Sequence, residues 1–271
     1  MNRRYYFMSG LPRSGSTLLS SILNQNDEVY SGPSSPVVPT MLALENSFQQ
    51  DELFLAYPKV QQGRNIIASI LPQYYTDTVR PIVIDKNRSW VNRPEYIRGY
   101  FGIEPKIICP VRDISEVVAS FVALCERNDY RKDGKINFID KNLLIEGKDI
   151  TNENRARQIA GPGILGQSYD AMKAIVEAGN EKILHFVEYK DLLESPQETM
   201  NKIYDFLGEE RWTHNFDEIE NMHQEKDKEV YGLGDMHTVR PNLARSDIKP
   251  SDYLSDEILE LCKDQEFWRK L

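Results

Sequence analysis

The chain has 271 residues, 28% of them charged, and a formal net charge of −9 at pH 7. This negative charge argues against nonspecific binding to nucleic acid or to an anionic membrane. It leaves an anionic nucleotide open as a ligand, because affinity for a small ion depends on the local field. No apolar run approaches the roughly 18 residues of a membrane helix, so no transmembrane segment is expected.

Apolar runs and helical periodicity predict strands that alternate with helices along the chain. Strands are expected at about 4–9, 81–85, 106–111 and 182–188, and helices near 15–25, 39–50, 114–127, 152–178, 196–207 and 255–263. Such alternation predicts an α/β fold in which a central parallel sheet carries helices on both faces. The sequence shows no repeat and no linker, so residues 1–271 are expected to form a single domain. In such a fold, the ligand is expected beyond the carboxyl ends of the parallel strands.

Several segments are interpreted as connections or surface. Ser31–Pro39 contains three prolines and is expected to be a rigid loop. Asp129–Gly147 is polar and bears glycine, which favours a mobile lid over an acceptor site. The acidic clusters Glu209–Glu210 and Asp217–Glu229 are expected to be solvated faces of helices and loops.

The N-terminus and the cysteines indicate a reducing compartment. Met1–Phe7 enters a predicted strand directly and leaves no room for a signal peptide. Cys109, Cys125 and Cys262 are odd in number and widely spaced, in apolar or helical surroundings, which favours reduced core thiols. No Cys/His spacing is typical of a metal site. We therefore expect a cytoplasmic protein without a metal.

The segment Gly10-Leu-Pro-Arg-Ser-Gly-Ser-Thr17 is the most informative stretch of the sequence. It lies between an apolar run and a helical run, so it predicts a strand, a Gly-rich turn and the start of a helix. The free N–H groups and the dipole of such a helix start favour an anion. The spacing nearly fits the nucleotide-binding P-loop, Gly-x4-Gly-Lys-Ser/Thr. However, Ser16 stands where that motif has its lysine, and the cation is Arg13 instead.

A second motif begins at the strand predicted over 106–111. Arg112 follows this strand directly, and apolar residues then recur at helical spacing. Ser120 lies eight residues after Arg112, about two helical turns along. Arg112 is therefore expected where a strand ends and a helix begins, with Ser120 on that helix.

These two motifs together resemble those of sulfotransferases that use 3′-phosphoadenosine 5′-phosphosulfate (PAPS) as donor. The Gly10–Thr17 loop, with its cation at Arg13 and Ser-Thr after the second Gly, resembles the 5′-phosphosulfate loop of that family. The family's 3′-phosphate site is an Arg at a strand end and a Ser eight residues later, and Arg112 and Ser120 match it. The resemblance implies a P-loop-containing nucleotide-binding fold.

Further segments resemble the same family, its bacterial, carbohydrate and tyrosylprotein branches in particular. Ile82–Asn87 resembles the strand that carries an active-site lysine, here Lys86, and Ile183–Pro196 resembles a late strand followed by Tyr189. The tail around His237–Pro241 resembles a C-terminal loop that closes over the donor. Residues 30–80 and 128–150 match nothing specifically and are expected to be acceptor-side insertions or a lid.

The resemblance also implies roles for individual residues. Arg13 would hold the 5′-phosphosulfate, Lys86 would stabilise the leaving group or the sulfonyl oxygens, and no metal is required. Arginine suits the 3′-phosphate because its planar fork engages phosphate oxygens bidentately. The expected donor-binding residues are Pro12, Arg13, Ser14, Gly15, Ser16, Thr17, Arg112, Ser120, Tyr189, Thr238 and Arg240.

The general base departs from the family pattern. Many relatives place a Glu or His shortly after the first helix, or a His on a central strand, whereas the equivalent loop here is Gly32-Pro-Ser-Ser35. Candidates for the base are Asp85 at a strand end, His237 in the closing loop and Glu45 on the following helix. The alternative role for Asp85 is an ion pair that orients Lys86 or a hydrogen bond to a loop amide, and for His237 it is a contact to the donor.

The resulting expectation is transfer of a sulfonyl group from PAPS to a hydroxyl or amine of a small-molecule, carbohydrate or lipid acceptor. Two other classes stay open. A P-loop kinase or other NTPase would share the fold, although it would want a lysine at position 16 and a magnesium-binding carboxylate such as Asp85. A noncatalytic protein would bind adenosine 3′,5′-bisphosphate (PAP) without transferring anything.

Overall fold

The computed structural model describes residues 3–271, and its centre is a parallel sheet of five strands. These are β1 (Arg4–Met8), β2 (Val29–Ser34), β3 (Ile82–Lys86), β4 (Ile107–Val111) and β5 (Leu184–Glu188). The strand order is β2-β3-β1-β4-β5, and all neighbouring pairs are parallel. The predicted α/β fold and parallel sheet are confirmed.

Strand β2 corrects the expectation that Ser31–Pro39 is a loop. Proline disfavours strand interiors because it donates no ladder hydrogen bond, yet it is tolerated on edge strands and at bulges. Strand β2 lies at the edge of the sheet, and its register against β3 shifts between Ser31 and Ser34, on either side of Pro33. The strand therefore accommodates the proline that suggested a loop.

Helices connect the strands. The α-helices are α1 (Ser16–Leu23), α2 (Val37–Gln50), α3 (Glu52–Ala56), α4 (Val60–Tyr74), α5 (Pro94–Tyr96), α6 (Ile114–Arg127), α7 (Tyr130–Asp133), α8 (Phe138–Ile145), α9 (Asn152–Ala160), α10 (Gln167–Glu177), α11 (Tyr189–Glu194), α12 (Pro196–Leu207), α13 (Asp227–Tyr231) and α14 (Asp256–Cys262). Short 3₁₀ or π turns occupy Trp90–Asn92, Ile97–Phe101, Pro162–Gly166, Glu181–Ile183, Pro250–Asp252 and Phe267–Lys270.

The predictions of helices at 114–127 and 196–207 are confirmed, but the single helix predicted over 152–178 is wrong. The chain breaks at Gly161, whose backbone is extended, and resumes as a π turn and then α10. The residue before a proline is disfavoured in helical geometry, and Pro162 imposes that limit on Gly161. Among residues 3–271, no helix is both long enough and apolar enough to cross a membrane.

Two hydrophobic clusters cover the two faces of the sheet. Because successive strand residues point to opposite faces, Phe7 packs with Trp90 and α6 in one cluster, whereas Met8 packs with α1 and α12 in the other. Helices therefore lie on both faces, as predicted. The three cysteines are buried and unpaired, and burial raises the pKa of Cys125 to about 12.

The segment 128–150, expected to be a lid, contains helices α7 and α8. Asn137 accepts a hydrogen bond from the backbone N–H of Asp140 and so caps α8. Asp140 is fully buried and forms two hydrogen bonds of 2.7 Å with Arg155 of α9. This ion pair attaches α8 to the rest of the domain.

Asp85 of β3 is a buried hub that joins three parts of the fold. Its carboxylate accepts hydrogen bonds from Ser35 Oγ (2.8 Å), Tyr75 Oη (2.7 Å) and Trp90 Nε1 (2.5 Å). Burial raises the pKa of Asp85, and the three donors act in the opposite direction. The donors thus offset part of the cost of burying this group.

We predict that Tyr75→Phe lowers the free energy of unfolding by about 1–3 kcal/mol, because it leaves a buried carboxylate oxygen without its donor. Tyr74→Phe is the matched control, because this substitution removes the same hydroxyl group from the neighbouring residue, which is 43% exposed. Chemical denaturation of both variants measures the difference. Equal stabilities would show that Asp85 does not depend on Tyr75.

Candidate active site

A cleft of about 1090 Å³ lies at the carboxyl ends of the strands, where the sequence predicts a ligand. Its walls come from the Gly10–Thr17 loop, the ends of β3 and β4, the middle and end of α6 and the segment 235–248. The predicted donor-binding residues that line it are Pro12, Arg13, Gly15, Ser16, Thr17, Arg112, Ser120, Tyr189, Thr238 and Arg240.

The backbone of the Gly10–Thr17 loop lies directly on β4. A Cβ atom at Gly10 would come within 2.2 Å of the Pro110 carbonyl oxygen, so only glycine permits this approach. Gly15 has φ +86°, which favours glycine, and it faces the Tyr189 ring. The start of α1 is therefore held with its N–H groups at the cleft.

Ser14 is the one predicted donor-binding residue whose side chain does not reach the cleft. Its hydroxyl is buried, 2.5 Å from the Leu11 carbonyl oxygen and 2.8 Å from that of Pro110. It fastens the loop to β4. This corrects the expectation that the Ser14 hydroxyl is a ligand donor.

Arg13 has φ +57°, and its guanidinium lies inside the cleft. Arg13 Nε donates to Ser120 Oγ at 3.2 Å, and Nη1 donates to the Met236 carbonyl oxygen. Burial and the nearby Arg112 lower the pKa of Arg13 to about 10. This cation has no carboxylate partner among residues 3–271, which suits a site for an anionic ligand.

Arg112 follows β4 and is 7% exposed. Its Nε donates to Glu116 Oε2 at 2.7 Å, and Nη1 donates to the Arg13 carbonyl oxygen at 3.3 Å. The guanidinium carbon lies 4.6 Å from the centre of the Tyr189 ring. Asp113 caps α6 by accepting from the N–H groups of its first turn. This helix carries Ser120, which lines the same cleft as Arg13 and Arg112.

Lys86 is the last residue of β3 and is 5% exposed. In the described part of the chain, its Nζ is buried without a hydrogen-bond partner. Burial lowers the pKa of Lys86, while the charges of Glu225 and Asp227 raise it. A buried ammonium without a bonded partner, at the edge of an anion-binding cleft, is suited to a bound anion.

Two of the three candidate bases are engaged elsewhere. Asp85 points to the opposite face of β3 from Lys86, is fully buried and does not line the cleft. The expectation that it acts as a base, or orients Lys86, is therefore wrong. Glu45 also lies outside the cleft lining and accepts hydrogen bonds from the hydroxyls of Tyr96 and Tyr100 (the latter at 2.7 Å).

His237 is the candidate base that the structure brings to the cleft. Its Nδ1 lies 2.6 Å from Asp227 Oδ1 and 3.4 Å from Glu225 Oε2. Asp227 is 7% exposed, which corrects the expectation that all of Asp217–Glu229 is a solvated face. In the other acidic cluster, Glu209 forms an ion pair with Arg4, at 2.7 Å between Oε1 and Nε.

Two further cations line the cleft, Arg88 and Arg127, and neither is among the residues predicted from the sequence. Arg127 lies seven residues after Ser120, which places both on one face of α6, so helical spacing could have identified it. Arg88 lies two residues after Lys86, the last residue of β3, and burial lowers its pKa.

Glu225, Asp227 and His237 offer ligand atoms that lie within 4.8 Å of one another, close enough to hold a metal ion. The charge of Lys86 acts on both carboxylates of this group. A metal ion bound there would face repulsion from the lysine ammonium.

Comparisons with known proteins identify the family and support the fold. A model of the sulfotransferase family matches residues 6–214. No curated protein sequence matches the chain. Three sulfotransferase structures are similar to it. The domain from the Synechococcus PCC 7002 olefin synthase is 17% identical, covering 97% of this chain and 94% of its own, with a TM-score of 0.49.

The domain from the curacin biosynthetic pathway is 15% identical and covers 96% of each chain, with a TM-score of 0.52. Sulfotransferase STF9 from Mycobacterium avium is 15% identical, covering 97% of this chain and 75% of its own, with a TM-score of 0.51. These last two likenesses support the fold, and the family match spans more than half of the sequence. The chain belongs to the sulfotransferase family.

Proposed function

We propose that the protein transfers a sulfonyl group from PAPS to a hydroxyl or amine of an acceptor. The observation that carries this proposal is the contact between Arg13 Nε and Ser120 Oγ, with Arg112 bonded to the Arg13 carbonyl oxygen. These contacts bring the Gly10–Thr17 loop, which is suited to a 5′-phosphosulfate, into one cleft with Arg112 and Ser120, which are suited to a 3′-phosphate. ATP has no 3′-phosphate to occupy that pair.

The donor would lie along this cleft with its two anionic ends at separate sites. The N–H groups at the start of α1, with Arg13, Ser16 and Thr17, would hold the phosphosulfate. Arg112 and Ser120 would hold the 3′-phosphate. Tyr189, which faces Gly15 and Arg112, would support both ends, and Thr238 and Arg240 would close the cleft from the C-terminal segment.

The chemistry follows from where charge develops. The acceptor oxygen or nitrogen attacks sulfur in line, the bond from sulfur to the bridging phosphate oxygen breaks, and PAP leaves. Negative charge grows on the bridging and sulfonyl oxygens, so preorganised cations stabilise the transition state. Lys86 Nζ, buried and without a bonded partner, is placed to do so together with Arg13. His237 would accept the proton of the acceptor.

A kinase or other NTPase fits less well. Such an enzyme would need a cation at position 16, where the chain has serine, and a carboxylate free to bind magnesium. Asp85 was the candidate for that carboxylate, and its oxygens are enclosed by three donors. A noncatalytic PAP-binding protein would leave PAPS intact, so release of sulfate or a sulfated product distinguishes the two.

The acceptor would enter beside His237, where Phe138 of α8 and Tyr231 of α13 line the cleft. We propose that segment 128–150 belongs to this acceptor side, and that the acceptor is a small molecule, carbohydrate or lipid. The buried free thiols are in keeping with a reducing, cytoplasmic environment.

We predict that the wild-type protein binds PAP more tightly than ADP, and that Arg112→Ala removes most of this preference. Loss of a buried charge-assisted contact typically costs about 2–5 kcal/mol, and only the 3′-phosphorylated ligand would make it. Isothermal calorimetry of both nucleotides measures the effect, with Arg211→Ala, an exposed arginine paired with Asp205, as the control. Equal affinities of the wild type for PAP and ADP would refute the donor assignment.

We predict that Lys86→Ala slows single-turnover sulfate release from PAPS, with water as acceptor, by about 10²–10³-fold, while PAP affinity falls less. Lys202→Ala, which alters an exposed lysine paired with Glu198, should leave the rate unchanged. A wild-type rate in folded Lys86→Ala would show that the lysine plays no part in transfer.

The lowered pKa of Lys86 predicts that the rate of sulfate release depends on pH. Burial lowers the pKa of Lys86, so its positive charge is present at low pH and is lost as pH rises through that lowered value. The rate should therefore fall on the alkaline side earlier than an ordinary lysine would dictate. Lys86→Arg should move this fall to higher pH. An unchanged alkaline limb in the arginine variant would assign the titration to another group.

A further inference from the structure

His237 belongs to an irregular segment, yet its backbone is bonded on both sides. Its N–H donates to Asp227 Oδ2 at 2.7 Å, and its carbonyl oxygen accepts from Asn221 Nδ2 at 3.1 Å. The same Asp227 carboxylate contacts the imidazole through its other oxygen, at 2.6 Å from Nδ1. One carboxylate thus fixes both the backbone and the ring of His237.

This contact determines which ring nitrogen carries the hydrogen. An ionised carboxylate only accepts hydrogen bonds, so Nδ1 must be the donor. In the neutral imidazole, Nε2 then holds the free lone pair. Nε2 has no hydrogen-bond partner in the described part of the chain, and His237 lines the cleft while Asp227 and Glu225 do not. The carboxylates stand behind the ring.

The surroundings also favour the charged ring that proton transfer would create. Asp227 and Glu225 present carboxylate oxygens at 2.6 and 3.4 Å from Nδ1, and their side chains are only 8% and 14% exposed. Opposite charges at such short range stabilise a cation, more so where water is largely excluded. The Tyr231 ring, 6.2 Å from the imidazole centre, covers another side.

We propose that Asp227 is a positioning residue that holds His237 as the general base, with Glu225 as a second stabilising charge. This rests on the proposed function. In the step, the acceptor O–H proton passes to His237 Nε2 as the acceptor oxygen bonds to sulfur. The electron pair of the breaking sulfur–oxygen bond goes to PAP. Asp227 stays ionised throughout and keeps the Nδ1 hydrogen.

Nitrogen-15 NMR of histidine-labelled protein tests this assignment, because the two neutral tautomers give distinct ring signals. His237 is identified by the signals that His237→Gln removes. Wild-type His237 should carry its hydrogen on Nδ1. In Asp227→Asn, the amide can donate to Nδ1, so the hydrogen should move to Nε2. Glu229→Gln, an exposed acid two residues along α13, is the matched control and should keep the wild-type tautomer.

Kinetics supplies the functional readout. Asp227→Asn should slow single-turnover sulfate release by about 10²–10⁴-fold, as expected for a base held in the wrong tautomer, while PAP affinity stays at the wild-type value. A merely structural role would not produce this split between rate and affinity.

Two results would overturn the proposal: wild-type His237 carrying its hydrogen on Nε2, or Asp227→Asn keeping both the wild-type tautomer and rate. Reading the wild-type tautomer does not require Asp227→Asn, so the test holds even if that variant does not fold. Failure of the proposed function is distinguishable, because it would appear as a lack of preference for PAP over ADP in the wild type.

Discussion

The contact of the Gly10–Thr17 loop with β4 is the constraint on which the rest of the site depends. Gly10 approaches Pro110 so closely that no side chain fits between them, and the Ser14 hydroxyl bonds across the same junction. Because Arg112 directly follows β4, this contact brings the cation of the loop and the cation of the strand end to one cleft. Burial and repulsion from Arg112 lower the pKa of Arg13, and a bound anion would relieve this repulsion.

Charge in this protein is separated rather than balanced locally. The chain carries a net charge of −9, yet the charged side chains that line the cleft are mainly cationic. They are Arg13, Lys86, Arg88, Arg112, Arg127, Arg240, Asp235 and Asp247. A cleft lined mainly by positive charge attracts an anionic ligand and raises its local concentration, even in a protein whose net charge is negative. Asp227 and Glu225 contact His237 and do not line the cleft themselves.

Contiguous motifs were predictable from the sequence, whereas contacts between distant segments were not. The Gly10–Thr17 loop, Arg112 and Ser120 each belong to a short motif at a strand end or on the helix after it. The structure brings them together as expected. The strand pattern could have argued against Asp85 as the base. Adjacent residues of β3 point to opposite faces of the sheet, so Asp85 and Lys86 cannot both face the cleft. Asp227 lay in an acidic run typical of solvated surface, and only the tertiary fold places it against His237.

The central claim is that one cleft holds both ends of a 3′-phosphorylated donor, and a crystal structure of the protein with PAP tests it most directly. The account predicts the 3′-phosphate within hydrogen-bond distance of Arg112 and Ser120, and the 5′-phosphate on the Gly10–Thr17 loop beside Arg13 and Lys86. PAP bound with its 3′-phosphate away from Arg112, or outside this cleft, would contradict it.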